Sequence, residues 1–518
     1  MRDLEDRLRQ VRPQWPGPGP EAEARVRTAL GLSRTPSPAR QWLTRSTHGR
    51  RGTRLLVAVA LLVTAGAAVA ASLINDRGSS SPAGQPASLA FASPQAVGPS
   101  SAQIDGPVRV AVDGRGTVTA VWARGGRIVA STRASNGTWS SPLRLSDPAV
   151  RSTSPRVGSD RHGVTTVIWR ETTAGRRVLE SFRLPSGAPA GQLFDVVGRR
   201  WAVVSRTRSA DGTWSAPERL SPETTSVRDL DEPGLAVASD GGVVVSWDTG
   251  DAIWARTRAG GRAWAKQALV GSGSGEAVDP QLSIIPSGRA ALIWSNRGGA
   301  GTSRRYQVMV ATLDPASGWR PAVKVGRPGI NPPYPAAGIN DTGEAVAAWR
   351  TYGQATAQQR LLVATGDAAG HWSDQVSIGG SGSGLIATRP LIVVRPDGAA
   401  LIVTGSEARA FQRPADGTWG PLDLAPVSGL GFAAVLGVDA TAVPVLVRGT
   451  TSPNTTVVER LADHRPAPER AVIPGVAAEP SLALGADGTS AIAWVGSDAR
   501  TVRVVVSSPT STSGGGGG

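Results

Sequence analysis

Cysteine is absent from this 518-residue chain, and histidine occurs only four times. The histidines are His48, His162, His371 and His464. The lack of cysteine excludes disulfides, thiolate metal sites and cysteine nucleophiles. The histidines lie too far apart in sequence to form a local metal-binding pair. Phosphate-binding loops, dinucleotide fingerprints and the nucleophile elbow of hydrolases are also missing. The sequence therefore predicts no metal and no cofactor.

Lysine is nearly absent as well, since only Lys266 and Lys324 occur, and the net charge of +15 comes from arginine. Residues 1–54 hold twelve arginines and five acidic residues, which leaves about +8 for the other 464 residues. A charge this dilute does not form the dense basic surface that nucleic-acid binding requires. We therefore expect no nucleic-acid partner.

Residues 55–74, LLVAVALLVTAGAAVAASLI, contain no charged residue. At about 1.5 Å per residue, such a helix spans roughly 30 Å, the thickness of the hydrocarbon core of a bilayer. Four arginines precede this segment, so the positive-inside rule places the N-terminus in the cytoplasm and the rest of the chain outside. A cleaved signal peptide is the alternative, with a cleavage site at 68–70, but the 54-residue leader and the long apolar run favour an uncleaved anchor. The four arginines are Arg45, Arg50, Arg51 and Arg54.

The remaining chain divides by composition. We expect a cytoplasmic Arg/Pro-rich segment at 1–54, a Ser/Gly/Pro linker at 75–87, a repeat domain at 88–507 and a disordered tail at 508–518. The predicted location is the cell membrane, with a single span and the repeat domain extracellular.

A unit of roughly 40–50 residues recurs along the repeat domain. In five copies a tryptophan follows the first proline by fourteen residues. In the first copy Trp122 follows Pro107 by fifteen residues. In the copy that begins at Pro390, Thr404 takes the tryptophan position, fourteen residues after the proline. Between Pro390 and Pro480 the degenerate stretch GFAAVLGVDATAVPVLV puts Phe432 and Leu446 at the proline and tryptophan positions. The count is eight with this copy and seven without it. Copies begin at Pro107, Pro155, Pro233, Pro280, Pro335, Pro390 and Pro480.

Each copy predicts four short antiparallel strands. Asp-Gly or Asn-Gly pairs, which accept the backbone of tight hairpins, separate the first strand from the second and the third from the fourth. Repeated four-stranded units stack as the blades of a β-propeller, so the sequence predicts an all-β, eight-bladed fold with seven blades as the alternative. The last copy has only three strands, and SLAFASPQAVG at 88–98 is predicted to supply the fourth. Twelve of the sixteen tryptophans then pack between blades.

The turn sequences SADGTW at 209–214 and PADGTW at 414–419 resemble the Asp-box of sialidases, although they lack the residue between Asp and Gly. The units accordingly resemble bacterial propeller repeats of a loosely sialidase-like kind over residues 88–507. The resemblance implies the propeller fold. Sialidases also carry an arginine triad and a Tyr–Glu nucleophilic pair, which no motif places in this chain, so no catalytic residue is carried over.

The loops between strands two and three share one face with the connections between blades, and all three tyrosines fall there. Arginine and tyrosine side chains favour anionic or sugar-bearing ligands through bidentate hydrogen bonds and stacking. We predict a ligand-binding rim on this face. The alternative is that these residues are solvated hairpin tips that bind no ligand. The residues of the rim are Arg297, Arg304, Arg305, Tyr306, Tyr334, Arg350 and Tyr352.

Three functions fit these features. The first is a membrane-anchored surface module that binds or senses an envelope polymer, a glycan or a protein. The second is an extracellular sialidase-like glycoside hydrolase, which should show acids and arginines converging on the propeller axis; candidate acids are Glu171, Asp248, Asp251, Glu276 and Asp279. The third is a structural subunit of an envelope complex. A purely binding module should show a broad Arg/Tyr rim instead.

Overall fold

The computed structural model describes residues 91–507 with short internal gaps. The gaps are 99–102, 135, 174–175, 184–188, 198–199, 226–231, 273–274, 300–304, 330–333, 353–358, 380–388, 405–408, 416, 423–433, 439–442, 452–453, 462–469 and 475–477. The chain divides between Pro82 and Ala83 into two units, and every described residue belongs to the second. The described residues include no helix able to cross a membrane, and the predicted segment 55–74 lies outside them.

The first four blades follow β1 (Gln95–Val97) along the chain. Blade one has β2 (Arg109–Val112), β3 (Val118–Arg124), β4 (Arg127–Arg133) and β5 (Leu143–Arg144). Blade two has β6 (Arg151–Ser159), β7 (Thr165–Thr172), an inserted hairpin of β8 (Arg176–Arg183) and β9 (Pro189–Val197), then β10 (Arg200–Arg208), β11 (Glu218–Arg219) and β12 (Thr224–Thr225). Blade three has β13 (Gly234–Val237), β14 (Val243–Asp248), β15 (Ala252–Arg258) and β16 (Ala268–Ser272). Blade four has β17 (Glu276–Ile284), β18 (Ala290–Gly298), β19 (Arg305–Asp314), β20 (Gly318–Trp319) and β21 (Val323–Gly329).

The other four blades are more uniform. Blade five has β22 (Ala336–Ile339), β23 (Ala345–Tyr352), β24 (Gln359–Gly366) and β25 (Val376–Ile378). Blade six has β26 (Leu391–Val394), β27 (Ala400–Thr404), β28 (Arg409–Arg413) and β29 (Gly420–Leu422). Blade seven has β30 (Ala434–Val438), β31 (Pro444–Thr451), β32 (Asn454–Arg460) and β33 (Arg470–Pro474). Blade eight has β34 (Ala478–Leu484), β35 (Ser490–Val495) and β36 (Val502–Ser507), with β1 as its fourth strand.

Each blade is an antiparallel sheet whose first strand lies innermost. First strands of neighbouring blades contact one another all the way round, from β2 past β6 to β34 and back to β2, so they form the wall of a central channel. In several blades a side chain closes the tight turn that follows the first strand: Asp113 Oδ1 accepts hydrogen bonds from the amides of Arg115 and Thr117, each at 2.9 Å. The prediction of eight four-stranded blades is confirmed.

The repeated tryptophans on the second strands are buried between blades, as predicted. Trp122, Trp169, Trp294 and Trp494 are at most 2% exposed. Trp122 packs with the second and third strands of blade eight, and Trp494 packs with blade seven. Because a blade cannot bury its own two faces, these contacts between neighbours form the hydrophobic core.

Blade seven departs from the predicted alignment. Leu446 pairs with Leu436, and strand register instead places Arg448 at the position that the tryptophans occupy in other blades. Arg448 is buried and forms an ion pair with Glu459 on the adjacent strand, which is also buried. A guanidinium that has a carboxylate partner can fill this interior position, whereas an isolated charge would be costly there. The alignment through Phe432, which lies outside the described residues, was therefore wrong by two residues.

The ring is closed by β1, as predicted from segment 88–98. Gln95, Ala96 and Val97 pair with β36 in antiparallel register, and Val97 is 2% exposed. An indole hydrogen bond of 2.9 Å from Trp139 to the side-chain oxygen of Gln95 ties this strand to blade one. An N-terminal strand thus completes the last blade and removes its open edge.

Candidate functional site

Seven blades carry a repeat proline at or near the start of the first strand or within it, and the residue before that proline lies toward one end of the central channel. Ser154, Asp279 and Tyr334 hold this position in blades two, four and five, and each has a left-handed backbone, with φ of 54°, 57° and 45°. Strand pairing also shifts at this point in blades two and four. Such bulges turn a side chain out of its regular direction, and backbone strain of this kind is concentrated at functional sites. We call this end of the channel the axial mouth, comprising Arg109, Arg156, Glu232, Asp279, Tyr334, Arg350 and Arg389.

Blades one, two and three meet at a carboxylate in the axial mouth. Glu232 Oε2 accepts hydrogen bonds from Nη2 of Arg156 at 2.5 Å and from Nη2 of Arg109 at 3.4 Å. Arg109 and Arg156 occupy equivalent positions on their first strands, because each pairs with the residue preceding its blade's tryptophan. The side chains are partly exposed, with 39% exposure for Glu232 and 30% for Arg156. One carboxylate therefore orients two guanidinium groups that still face solvent.

A second ion pair joins blades four and six. Arg389 Nη2 lies 3.2 Å from Asp279 Oδ1, and both residues immediately precede a repeat proline. The ion pair therefore joins two blades that are separated by blade five. In blade five the residue before the repeat proline is Tyr334. The side chains are 31% and 23% exposed. This pair and the Arg109–Glu232 contact each skip one blade, so both cross the inner edge of the ring and narrow the channel.

Tyr334 and Arg350 complete the axial mouth in blade five. The guanidinium carbon of Arg350 lies 5.0 Å from the centroid of the Tyr334 ring, within the range of a cation–π contact. Arg350 is 1% exposed, whereas Tyr334 is 36% exposed. A buried cation thus supports an aromatic ring that remains accessible to a ligand.

The described side chains of the axial mouth carry more positive than negative charge. They include four guanidinium groups and two carboxylates, and both carboxylates are ion-paired with arginine. This arrangement favours a ligand that brings its own negative charge. Within the described part of the chain, no cluster of histidine and acidic side chains is suited to hold a metal ion.

The structure brings together only part of the predicted rim. Tyr334 and Arg350 are in contact, while Arg297 and Tyr306 are cross-strand partners at the outer loop of blade four. Arg297 is ion-paired with Glu276, and Tyr306 is 9% exposed. The exposed Arg305 begins β19 beside them.

Two predicted rim residues and most of the candidate acids contribute no described contact to the axial mouth. Arg304 and the side chain of Tyr352 lie outside the described residues. Among the acids, Glu171 accepts a hydrogen bond from the Trp169 indole, Asp248 accepts one from the amide of Gly250, and Asp251 accepts one from the hydroxyl of Thr249. Of the five candidate acids, Asp279 lies in the axial mouth.

Sequence reasoning missed four residues of the axial mouth. The repeat proline indicates the start of a strand, and the residue before it is polar or ionisable in most copies. The residue immediately before the repeat proline varies between copies of an otherwise regular repeat. This variation is the signal that could have located Glu232 and Arg389. Arg109 and Arg156 follow the same proline by one or two residues.

Comparison of the sequence with models of known protein families and with curated protein sequences finds no match. Solved structures with a similar backbone include a catalytically inactive virginiamycin B lyase from Staphylococcus aureus, with 10% identity, TM-score 0.39, and coverage of 80% of this chain and 99% of that one. An α-L-arabinanase from Penicillium chrysogenum has 12% identity, TM-score 0.39, and coverage of 81% and 98%. An α-L-arabinofuranosidase from Fusarium graminearum has 12% identity, TM-score 0.38, and coverage of 73% and 99%. Likeness at this level carries no argument about function, and the fold assignment rests on the strand pairing described above.

Proposed function

We propose that this chain is a membrane-anchored, cell-surface recognition module whose propeller binds an anionic envelope polymer or acidic glycan at the axial mouth. The observation that carries the proposal is the excess of guanidinium groups in the axial mouth, where the carboxylates are already paired with arginine. Anchoring rests on the sequence prediction for residues 55–74.

The geometry supports binding of a carboxylate- or phosphate-bearing ligand. Arg109 and Arg156 are held beside each other by Glu232, so little side-chain freedom is lost when a ligand oxyanion joins them. Guanidinium groups form paired hydrogen bonds to carboxylates and phosphates. The accessible ring of Tyr334 offers a stacking surface for a sugar.

A glycoside hydrolase is the second candidate, because acids and arginines do converge on the axis. Glu232 and Asp279 are two carboxylates at one mouth, which is the feature expected of that class. Their engagement by arginine favours recognition over catalysis. A structural subunit or a receptor for a protein remains the third proposal.

The test is binding of the full-length chain, reconstituted in lipid nanodiscs, to sialylated, uronate-containing and phosphate-containing polymers and to their neutral counterparts. Saturable binding is expected only for the acidic members. Arg156→Gln should weaken it by about tenfold or more, since a hydrogen bond to a charged group contributes roughly 1.5–3 kcal/mol. A panel of fluorogenic glycosides run in parallel detects turnover, which would establish the hydrolase instead.

Arg289→Gln is the matched control. Arg289 is also part of a half-buried ion pair, 2.7 Å from Asp314, but it lies on the opposite face among the turns between first and second strands. Its loss should leave polymer binding unchanged. Equal binding of neutral and acidic polymers, or equal losses in the two variants, would contradict the proposal.

A further inference from the structure

The opposite end of the central channel contains a cavity of about 650 Å³, which we call the axial chamber. First strands run from the axial mouth to the axial chamber, which lie three to five residues or roughly 10–17 Å apart along each strand. The walls of the axial chamber are mainly aliphatic and come from all eight blades, and its volume lies within the range of about 300–1,000 Å³ typical of small-molecule pockets. Wall residues include Val112, Val237, Ile284, Ile339, Val394 and Leu484.

The aliphatic wall is fixed by close contacts between blades. A β-carbon on Gly158 would lie 2.6 Å from a methyl of Val237, and one on Gly437 would lie 2.8 Å from a methyl of Leu484. Glycine at these points lets the next blade's side chain approach the backbone. These contacts hold neighbouring blades closely together around the axial chamber.

Two of the polar side chains that line the axial chamber, Asp160 and Asn340, are used by turns. Asp160 Oδ1 accepts hydrogen bonds from the amides of His162 and Val164, and Asn340 Oδ1 accepts one from the amide of Glu344. The exposed Arg161 stands at the opening on blade two. Asp341, also exposed, stands at the opening on blade five, so the cationic sector is on the blade-two side.

Both ends of the propeller leave on the face that carries the axial chamber. Ser507 pairs with Ser490 and bridges to Phe91, and Ser490 follows the blade-eight turn whose Gly485 lines the axial chamber. Residue 91 is separated by sixteen residues from the end of the predicted membrane segment at 74, a reach of at most about 58 Å when fully extended. Phe91 and Ser507, the first and last described residues, therefore lie on the face where the aliphatic cavity opens.

We infer that the axial chamber binds one long-chain fatty acid, with its carboxylate directed toward Arg161. The hydrocarbon chain would replace water along the aliphatic wall, which is the favourable contribution. The inference is independent of ligand binding at the axial mouth and shares with the proposed function only the predicted anchor.

The test is photolabelling of the full-length chain in lipid nanodiscs with a palmitic acid analogue that carries a diazirine, followed by mass-spectrometric mapping. Labels are expected in peptides that contain the C-terminal ends of β17, β26 and β30, which line the axial chamber. Val438→Asp places a carboxylate in the wall and should reduce this labelling by about fivefold or more, because an unpaired charge in an apolar site is costly. Val438 is 39% exposed, so the variant should fold, and Val438→Thr provides a milder change of similar shape.

Val472→Asp is the matched control, since Val472 is 58% exposed on the outer strand of the same blade. It should leave labelling intact, as should Arg156→Gln at the axial mouth. Arg161→Gln should reduce labelling by the acid analogue but not by the corresponding fatty alcohol. Labelling confined to residues 55–74, or equal in Val438→Asp and Val472→Asp, would overturn the inference. The same Val438→Asp variant is also tested for polymer binding. Retained polymer binding together with lost labelling shows that the axial chamber and the axial mouth are tested separately.

Discussion

The position of an acidic residue within the repeat decides whether it supports a turn or meets an arginine of another blade. Asp113, Asp160 and Asp498 direct their carboxylates to backbone amides of their own turns. Glu232 and Asp279, which precede repeat prolines, instead meet arginines from other blades. The first group could be assigned from Asp-Gly spacing alone, whereas the partners of the second group depend on how the blades are arranged round the ring.

Asp498 predicts an acid-dependent loss of stability. The hydroxyl of Thr501 and the amides of Arg500 and Thr501 donate to its carboxylate, and these bonds lower its pKa from 3.8 to about 2. Because the folded-state pKa is lowered, the contribution to stability is complete above the unfolded pKa of 3.8 and is lost as the pH falls toward about 2. Asp498→Asn should therefore destabilise the protein near neutral pH and have a smaller effect near pH 2.

The measurement is the urea midpoint of both proteins across this pH range. Hydrogen bonds also lower the pKa of Asp211, Asp314 and Asp367, so the variant should retain part of the acid dependence. A constant difference between the two midpoints at every pH would show that the carboxylate charge of Asp498 does not contribute.

At the level of strands and blades, the period-two alternation and the paired turns were sufficient to predict eight sheets of four strands. The closing strand could also be predicted, because the last copy lacked a fourth strand and segment 88–98 supplied one. Strand register could not be predicted in blade seven, where neither the proline nor the tryptophan marks the position that Arg448 takes. Pro155 and Pro233 lie 78 residues apart, which shows extra length in blade two, and the structure shows this insertion as the paired strands β8 and β9.

The closing strand is expected to control the stability of the whole ring. Val97→Asp would bury a carboxylate at a position that is 2% exposed and should destabilise the fold by roughly 3–5 kcal/mol, as an uncompensated buried charge does. Ala96→Asp, on the exposed neighbour in the same strand, should change stability little. Thermal unfolding of the two variants beside the unmodified chain measures the difference, and similar losses in both would argue against closure through β1.

At the scale of the whole molecule, the central channel has chemically different ends. The axial mouth is built from charged residues next to the repeat prolines, and the axial chamber is built from aliphatic residues at the far ends of the same strands. Because the first strands are short, the axial mouth and the axial chamber lie at opposite ends of the same strands. The two ends should therefore respond differently to solution conditions.

Ionic strength provides a test of this difference. Raising salt from about 0.05 M to about 0.5 M shortens the screening length several-fold and should weaken binding of an anionic polymer at the axial mouth. Labelling of the axial chamber by the fatty alcohol analogue should not weaken, because burial of apolar surface is not screened by salt. The two assays on one preparation of full-length protein make the comparison, and a parallel loss in both would show that the ends are not independent.

The sequence by itself determined the all-β class, the four-stranded blades, the turn chemistry, the tryptophan packing and the closing strand, and it favoured eight blades over seven. These features follow from local periodicity and from a repeat that must bury its faces against its neighbours. Only the tertiary structure decided the axial mouth and the axial chamber. Glu232 lies 123 residues from Arg109, and Asp279 lies 110 residues from Arg389, so closure of the ring, rather than any local motif, brings these charges together.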